Sequence, residues 1–343
     1  MRLRRTSRAV IAGQLATAGL VGVAVTPAAA IVGGSAAEAP DAGIGSLQVE
    51  ANGVPDWGFC SAHLVGNGRA GETDLALTNA HCVTDPPPEA QVEVQGPIAQ
   101  VTTQAGYFRT LAVPLREAAA GTTPYTFVVG SADRFAREHV GVAAVAASER
   151  WAWGTPDPGV VDPKTKGWIW DIAVLKLAHP VHYRGALIAP VLPWLSERAL
   201  GWGMTNPDPA TWGHHPLGAQ LHRNDVPVVP AQQCADAGIG KAEVCLGVAR
   251  DGGGACAGDS GGGGLQRWGT RWVLTATTSR GPQLYCCTVN VYTQVWPYRA
   301  WLGQTARLLH SSARIDVASV DAVRAQAAAD HVSDSQLTYA LAG

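Results

Sequence analysis

Short apolar runs separated by turn residues dominate the chain up to about residue 296. Runs rich in Val, Leu, Thr and Trp recur, with Gly, Pro and Asp between them, at residues 92–94, 125–129, 172–177, 272–277 and 289–295. Strands of this length and spacing are typical of an all-β barrel or sandwich. The pattern therefore predicts an all-β fold, with little helix before residue 296.

The spacing of the apolar residues changes towards the C-terminus. Apolar side chains recur at roughly helical spacing at Tyr298, Trp301, Leu302, Leu308 and Leu309, which predicts a helix over residues 297–309. Residues 317–329 predict a further amphipathic helix. The sequence leaves open whether the extension 310–343 docks on the body, serves a partner or is loosely ordered.

The first 30 residues have the layout of a secretory signal peptide. Four arginines precede an apolar run over residues 9–25, and small residues follow at 27–30. This layout predicts cleavage after Ala30 and an extracellular protein. The alternative, a membrane anchor, is disfavoured because the run is short and rich in Gly and Ala, and no later stretch is long and apolar enough to span a bilayer.

Charge and cysteine content narrow the function classes. Without those four arginines, the 25 basic residues become 21 against 27 acidic ones, a formal net charge of −6, which argues against a nucleic-acid partner. Seven cysteines in a secreted chain favour disulfides. A metal site is the rival interpretation, but no Cys-x-x-Cys pair exists, so we expect no metal and one unpaired thiol.

Four motifs carry candidate chemistry. Residues 258–263 read Gly-Asp-Ser-Gly-Gly-Gly, residues 78–82 read Thr-Asn-Ala-His-Cys, Asp171 heads an apolar run, and residues 31–34 read Ile-Val-Gly-Gly. A serine hydroxyl is a poor nucleophile until a neighbouring base takes its proton. In their order His, Asp, Ser, these motifs resemble the trypsin-like (chymotrypsin-fold) serine endopeptidases.

The resemblance covers about residues 31–309 and implies two packed antiparallel six-stranded β-barrels with a C-terminal helix. The first barrel is expected over residues 31–195 with enlarged loops, and the second barrel and helix over 196–309, entered at Gly201-Trp202-Gly203. The insert 85–170 contains an aromatic stretch at 151–170. We favour packing of these Trp residues under the loops over a ligand-binding platform.

The resemblance also implies a catalytic role for each motif. Ser260 would be the nucleophile, His81 the base, and Asp171 the acid that orients His81. The backbone N–H groups of Gly258 and Ser260 would hold the oxyanion. Asn79 departs from the family's small residue, at little expected cost.

Activation follows from the motif at residue 31. In the family, the freed amine of this Ile pairs with the Asp before the catalytic Ser, here Asp259. Because the predicted signal cleavage falls directly before Ile31, we expect an enzyme that needs no separate propeptide.

The family's pocket base corresponds to Gly254, where cleavage after Arg or Lys would want an Asp. We therefore expect a preference for small to medium uncharged side chains. Arg280 replaces the family's aromatic and is expected to favour acidic groups, while Ser279 matches the residue that bonds the catalytic Asp. The candidate substrate-binding residues are Gly254, Ala255, Ala257, Ser279, Arg280, Gly281 and Asn290.

Three disulfides match the family: Cys60–Cys82, Cys234–Cys245, and Cys256 with either Cys286 or Cys287. Adjacent strand residues point in opposite directions, so only one of the last two fits, and we favour Cys286.

Together these features predict a secreted, bacterial-type serine endopeptidase that needs no cofactor, acts as a monomer on protein or peptide substrates and is not membrane-inserted. Two alternatives are a catalytically silent binding protein on the same fold and an α/β-hydrolase, which the order His, Asp, Ser disfavours.

Overall fold

The computed structural model describes residues 31–37, 43–51, 54–68, 70–84, 125–136, 138–148, 151, 170–206, 217–282 and 286–342. The predicted signal peptide, the predicted strand at 92–94 and most of the insert 85–170 lie outside the described residues. Within them, no helix has the length and apolar character needed to cross a membrane.

The described residues form fourteen β-strands, numbered in chain order. They are β1 Ser35–Ala36, β2 Ile44–Ala51, β3 Val54–Leu64, β4 Thr73–Thr78, β5 Tyr125–Val129, β6 Glu138–Ala147, β7 Ala173–Val181, β8 Glu197–Gly201, β9 His222–Val226, β10 Val228–Val229, β11 Glu243–Leu246, β12 Gly263–Trp268, β13 Arg271–Arg280 and β14 Asn290–Gln294.

Six strands close into the first barrel in the order β2-β3-β4-β7-β6-β5. Its interior is apolar, because the inward faces of these strands carry fully buried side chains such as Leu47, Leu64, Phe127, Val140 and Leu175. Burying such side chains contributes roughly 1.5–3 kcal/mol each. The barrel is therefore a rigid support for the residues at its rim.

The second sheet has the order β1-β9-β8-β12-β13-β14-β11-β10. Its six longer strands are flanked by β1 and β10, which have two residues each. No pairing among the described residues joins these short edges, so the sheet is a half-barrel rather than the closed second barrel that the resemblance implies. Its core includes Ile31, Val226 and Tyr292.

The predicted all-β class with a C-terminal helix is confirmed, and the pairings between the fourteen strands are antiparallel. An α/β-hydrolase, whose sheet is mostly parallel, is excluded by these pairings. One boundary differs from the prediction. Residues 31–36 join the second sheet rather than the first barrel, because β1 pairs with β9 and Val32 bridges Gly254.

Three helices follow the second sheet: α1 Arg299–Leu308, α2 Val320–Ala329 and α3 Asp334–Ala342. Helix α1 lies within the predicted range 297–309. Helix α2 begins three residues later than predicted, because Ser319 caps it by accepting a hydrogen bond from Ala322 N at 3.1 Å. Helix α3 was not predicted.

The C-terminal extension docks on the body, which decides among the three possibilities left open by the sequence. Its first segment contacts the loop after β3 and the connection between β7 and β8: Asn67 and Arg314 exchange backbone hydrogen bonds of 2.8 and 3.1 Å, and Val317 bridges Ile188. Helices α2 and α3 then pack on the second sheet through an apolar cluster containing Leu192, Trp268, Val273, Trp296, Val323 and Ala340.

Candidate active site

His81 lies in a 3₁₀ turn, Ala80–Cys82, that directly follows β4. A disulfide from Cys82 to Cys60 ties this turn to β3. The imidazole Nδ1 lies 2.7 Å from Asp171 Oδ2, and the backbone N–H of His81 donates to Asp171 Oδ1 at 2.9 Å. The ring and main chain of His81 are thus both oriented by one carboxylate.

Asp171 is fully buried at the start of β7 and accepts four hydrogen bonds. Besides the two from His81, its Oδ2 accepts from Ser279 Oγ at 2.6 Å and from Asn79 Nδ2 at 2.9 Å. Burial would raise the pKa of Asp171, but the charge of His81 and the hydrogen bonds from His81 and Ser279 outweigh it and hold this pKa below its ordinary value. The carboxylate is therefore ionised at neutral pH.

The contribution of Asn79 was missed by the sequence reasoning, which treated it as a neutral departure from the family. Its amide is fully buried and also donates to the carbonyl oxygen of Asp171 at 2.9 Å. The one available signal was an amide two residues before the candidate histidine, where the family has a small residue.

Ser260 lies on a tight turn packed against the first barrel. Ser61 N donates to Ser260 O at 2.7 Å, and Ser61 neighbours the Cys60–Cys82 disulfide that holds the His81 turn. The next residue, Gly261, has φ +75°, and a Cβ there would lie 2.2 Å from both Ser61 O and Thr78 Oγ1. Only glycine permits this approach, which brings the serine turn to the strands that carry His81.

Asp259 is fully buried beneath this turn. Its Oδ1 accepts from Gly203 N at 2.7 Å and its Oδ2 from Cys256 N at 2.8 Å. A Cβ at Gly201 or Gly203 would lie within 2.5 Å of this carboxyl group, which explains the two glycines around Trp202. Burial raises the pKa of Asp259 to about 7, although both backbone hydrogen bonds lower it.

Ile31 is fully buried in the core of the second sheet. Its φ of 60° is unusual for a β-branched residue, and its carbonyl accepts from Gly34 N at 2.9 Å. The following residue, Val32, accepts from Gly254 N at 3.1 Å. The segment that begins at Ile31 is thus anchored beside the expected pocket, while pairing of Ile31 with Asp259 stays a prediction.

The expected pocket base contains no acid at Gly254. The nearest side-chain atom to a Cβ built on Gly254 is Asn290 Nδ2, at 3.6 Å, and this amide donates to Thr288 O at 3.0 Å. Gly254, Ala255 and Asn290 are buried, whereas Ala257 and Gly281 are half-buried. Asp251 is engaged by Asn224 Nδ2 at 3.1 Å and Gly253 N at 3.0 Å.

Arg280, which was expected to favour acidic substrate groups, contacts an acid of the chain itself, and its role towards substrate stays a prediction. Its guanidinium makes a two-pronged ion pair with Glu243, with distances of 2.7 and 2.8 Å. The pairing register of β13 shifts between Thr278 and Arg280, and such a bulge redirects the side chains around it. Glu243 was not identified from the sequence, because no local motif marks a partner 37 residues away.

The structure contains the disulfides Cys60–Cys82, Cys234–Cys245 and Cys256–Cys286, so the preference for Cys286 agrees with it. Cys287 is the free cysteine, and burial, with a smaller effect from Asp251, raises the pKa of its thiol. Among the described residues, the one group with metal-ligand spacing is Cys60, His81 and Cys82. Both of its sulfurs are committed to a disulfide, so the group does not fit a metal.

Comparison with known proteins agrees with this geometry. Residues 157–302 match the family model described as trypsin; this segment contains Asp171 and Ser260 but not His81. The chain is 31% identical over 159 residues to fibrinolytic enzyme, isozyme C, of Lumbricus rubellus, an alignment covering 40% of this chain and 62% of that protein. The family match covers less than half of the chain, and the chain spans less than two thirds of this relative. An earthworm relative does not support the expected bacterial type.

Proposed function

We propose that the protein is a secreted serine endopeptidase in which Ser260, His81 and Asp171 form the catalytic triad. The observation that carries the proposal is the 2.7 Å contact between His81 Nδ1 and the buried carboxylate of Asp171, beside the turn that holds Ser260. A charged acid there holds the proton on Nδ1 and leaves Nε2 as a base. The comparisons do not favour a silent binding protein.

The proposed reaction has two halves. In the first, Nε2 of His81 takes the proton of Ser260 Oγ, the Oγ–carbon bond forms, and the amide C–N bond breaks as His81 returns the proton to the leaving amine. In the second half, water repeats the sequence on the acyl-enzyme and releases the acid product. Asp171 stabilises the imidazolium formed in each half and does not itself take a proton.

The oxyanion is assigned to the backbone N–H groups of Gly258 and Ser260. The alternate amides of this turn are already committed, since Asp259 N donates to Cys256 O at 3.1 Å and Gly261 N to Thr278 O at 2.9 Å. Gly258 has φ +93°, and a Cβ there would lie 2.8 Å from Leu217 Cδ2, so glycine is required for this turn.

Activation is assigned to the amine of Ile31 after cleavage of the predicted signal peptide. The Asp259 carboxyl, with two backbone donors and a pKa raised to about 7, has no cationic partner among the residues that the structure describes. A free amine at Ile31, which lies in the core of the same sheet, would supply that charge and lock the serine turn. Amino-terminal sequencing of the secreted protein should give Ile31 first; another start would contradict this assignment.

Substrate preference is assigned from the pocket base. A buried Gly254 next to the neutral amide of Asn290 offers no anion to an Arg or Lys side chain. We therefore expect cleavage after small to medium uncharged residues, on protein or peptide substrates and with a monomeric enzyme. A peptide library with all side chains at the cleaved position measures this preference directly, and rapid cleavage after Arg or Lys with slow cleavage elsewhere would overturn it.

The proposed function is tested by Ser260→Ala with peptide substrates and fibrin, the latter chosen because the curated relative is named fibrinolytic. Removal of a triad nucleophile lowers turnover by about 10⁶-fold. Ser335→Ala, on the exposed face of α3, is the matched control and should keep parental turnover. Equal activity of the parent and Ser260→Ala would contradict the proposal.

A further inference from the structure

Arg280 is buried against a single disulfide-closed loop. The loop runs from Cys234 to Cys245, and it supplies the Glu243 carboxylate and the carbonyl oxygens of Ala237 and Gly238. Arg280 Nε donates to Ala237 O at 2.8 Å and Nη2 to Gly238 O at 2.9 Å. The side chains of Arg280 and Glu243 are 9% and 0% exposed, so the pair is shielded from water. Such a pair is costly to bury and needs this full set of partners.

The guanidinium also reaches towards the candidate triad. Its Nη1, which contacts Glu243, lies 3.3 Å from Ser279 Oγ as a second acceptor. Ser279 Oγ in turn donates to Asp171 Oδ2 at 2.6 Å. A continuous line of hydrogen bonds therefore joins Glu243, Arg280, Ser279, Asp171 and His81.

The direction of the serine proton follows from this arrangement. A hydroxyl has one proton and two lone pairs. Because Arg280 carries no acceptor, Nη1 can only occupy a lone pair of Ser279 Oγ, and the proton is left to point at Asp171. Donation from a cation also polarises the hydroxyl and strengthens its onward hydrogen bond.

We propose that Arg280 is a positioning residue for the triad, acting through Ser279 on Asp171. The inference rests on the proposed function for its effect on turnover, but the electrostatic link to His81 is independent of turnover. The groups that face this line are Asp171 before β7, Glu243 of β11, Arg280 of β13 and Tyr298 after β14. Burial, together with Glu243 and Asp171, raises the pKa of Tyr298, so its phenol stays neutral.

The first test compares Arg280→Met with Glu243→Gln, each in the full secreted chain. The readout is the NMR titration midpoint of the His81 ring, identified by its loss in His81→Ala. Removing the cation should favour the imidazolium and raise the midpoint, whereas removing the anion should lower it, each by about half a pH unit. Both shifts should largely disappear in a Ser279→Ala background, because the link from Arg280 to Asp171 passes through this hydroxyl; shifts that persist there would reflect charge acting through space alone and would overturn the proposal.

The second test separates positioning from charge. Arg280→Met should lower kcat roughly tenfold in the parent, but less than about twofold in a Ser279→Ala background, since the effect passes through Ser279. Equal losses in both backgrounds would overturn the proposal. If Arg280→Met does not fold, Arg280→Lys keeps the charge and loses the fork, and it should lower kcat while leaving the His81 midpoint unchanged.

The matched control for Arg280 is a second arginine that pairs with a carboxylate. Arg198→Gln removes another two-pronged arginine pair, with Asp225, and should leave the His81 midpoint and kcat at the parental values. Opposite midpoint shifts in a parent that hydrolyses nothing would overturn the proposed function and keep the link from Arg280 to His81. A fully active parent without the shifts would overturn the role of Arg280 alone.

Discussion

Asp171 and Asp259 are both fully buried carboxyl groups at the candidate site, yet their ionisation differs. Asp171, at the rim of the first barrel, accepts four hydrogen bonds and faces the imidazole of His81, and its pKa lies below the ordinary value. Asp259, beneath the serine turn of the second sheet, accepts two backbone hydrogen bonds and has its pKa raised to about 7. Both side chains are fully buried, so the difference between their pKa values comes from their hydrogen-bond and charge partners.

Glu197 extends the comparison. It is fully buried in the second sheet with one hydroxyl partner, Thr275, at 2.8 and 2.9 Å, and burial raises its pKa to about 8. The three acids therefore form a series in which fewer and less cationic partners leave the charged form less stable. Asp171 is therefore an anion beside His81, whereas burial without a cation among the described partners stabilises the protonated forms of Asp259 and Glu197.

The largest expected effect comes from Asp171→Asn. An amide has one acceptor oxygen where the carboxylate has two, and its NH₂ group can only donate, so it can hold His81 in the wrong tautomer. We expect kcat on a peptide substrate to fall about 10⁴-fold with the fold retained. Activity within tenfold of the parent would show that the charge of Asp171 is not needed.

Asp259→Asn should have the next largest effect. The substitution removes the charge proposed to bind the Ile31 amine, and loss of one partner of a buried pair costs about 3–5 kcal/mol. We expect activity to fall about a hundredfold or more in a chain that begins at Ile31. Asp225→Asn, whose side chain is 55% exposed, is the control. Parental activity of Asp259→Asn would remove the reason to pair this acid with the amine.

Glu197→Gln tests the comparison through the pH dependence of the free energy of unfolding. Since the folded-state pKa of about 8 exceeds the ordinary 4.5, the folded chain keeps a proton that the unfolded chain releases between these values. The stabilisation from this group is present below pH 4.5 and is lost as pH rises to 8, at up to about 1.4 kcal/mol per pH unit. Urea unfolding from pH 5 to 8 should show a smaller fall for the variant. Identical slopes would contradict the assignment.

Asn79→Ala is expected to have the smallest effect, because Asp171 keeps three hydrogen bonds, including those from His81. We expect about 1–2 kcal/mol less stability and less than a tenfold loss of kcat. Asn224→Ala removes a half-buried amide that bonds Asp251 rather than Asp171, so it should change neither quantity. A loss of kcat as large as that of Asp171→Asn would mean that the amide, not the histidine, controls the acid.

Strands were predictable from the sequence where the pattern of apolar residues falls within a single strand. The run 125–129 coincides with β5, Tyr125–Val129, because alternate side chains of this strand enter the barrel core. The helix predicted over 317–329 was too long, since Val317 and Ala318 are used as extended chain against Ile188. Periodicity alone does not distinguish a helix start from an extended segment that docks.

The motifs predicted the residues that lie together, but not their partners. The sequence could identify three members of the hydrogen-bonded line, His81, Asp171 and Ser279, because each lies in a run of residues that has a counterpart in the family. The pair between Arg280 and Glu243 was not predicted, because the register shift in β13 that precedes Arg280 is set by the pairing of two strands rather than by local sequence.

Reaction of the secreted chain with a fluorophosphonate, followed by peptide mass mapping, tests the central claim most directly. The account predicts one covalent adduct, on Ser260, which is lost in Ser260→Ala and strongly slowed in His81→Ala, because only a serine next to a working base reacts this way. An absence of adduct in a folded chain that begins at Ile31, or an adduct on another serine, would contradict it.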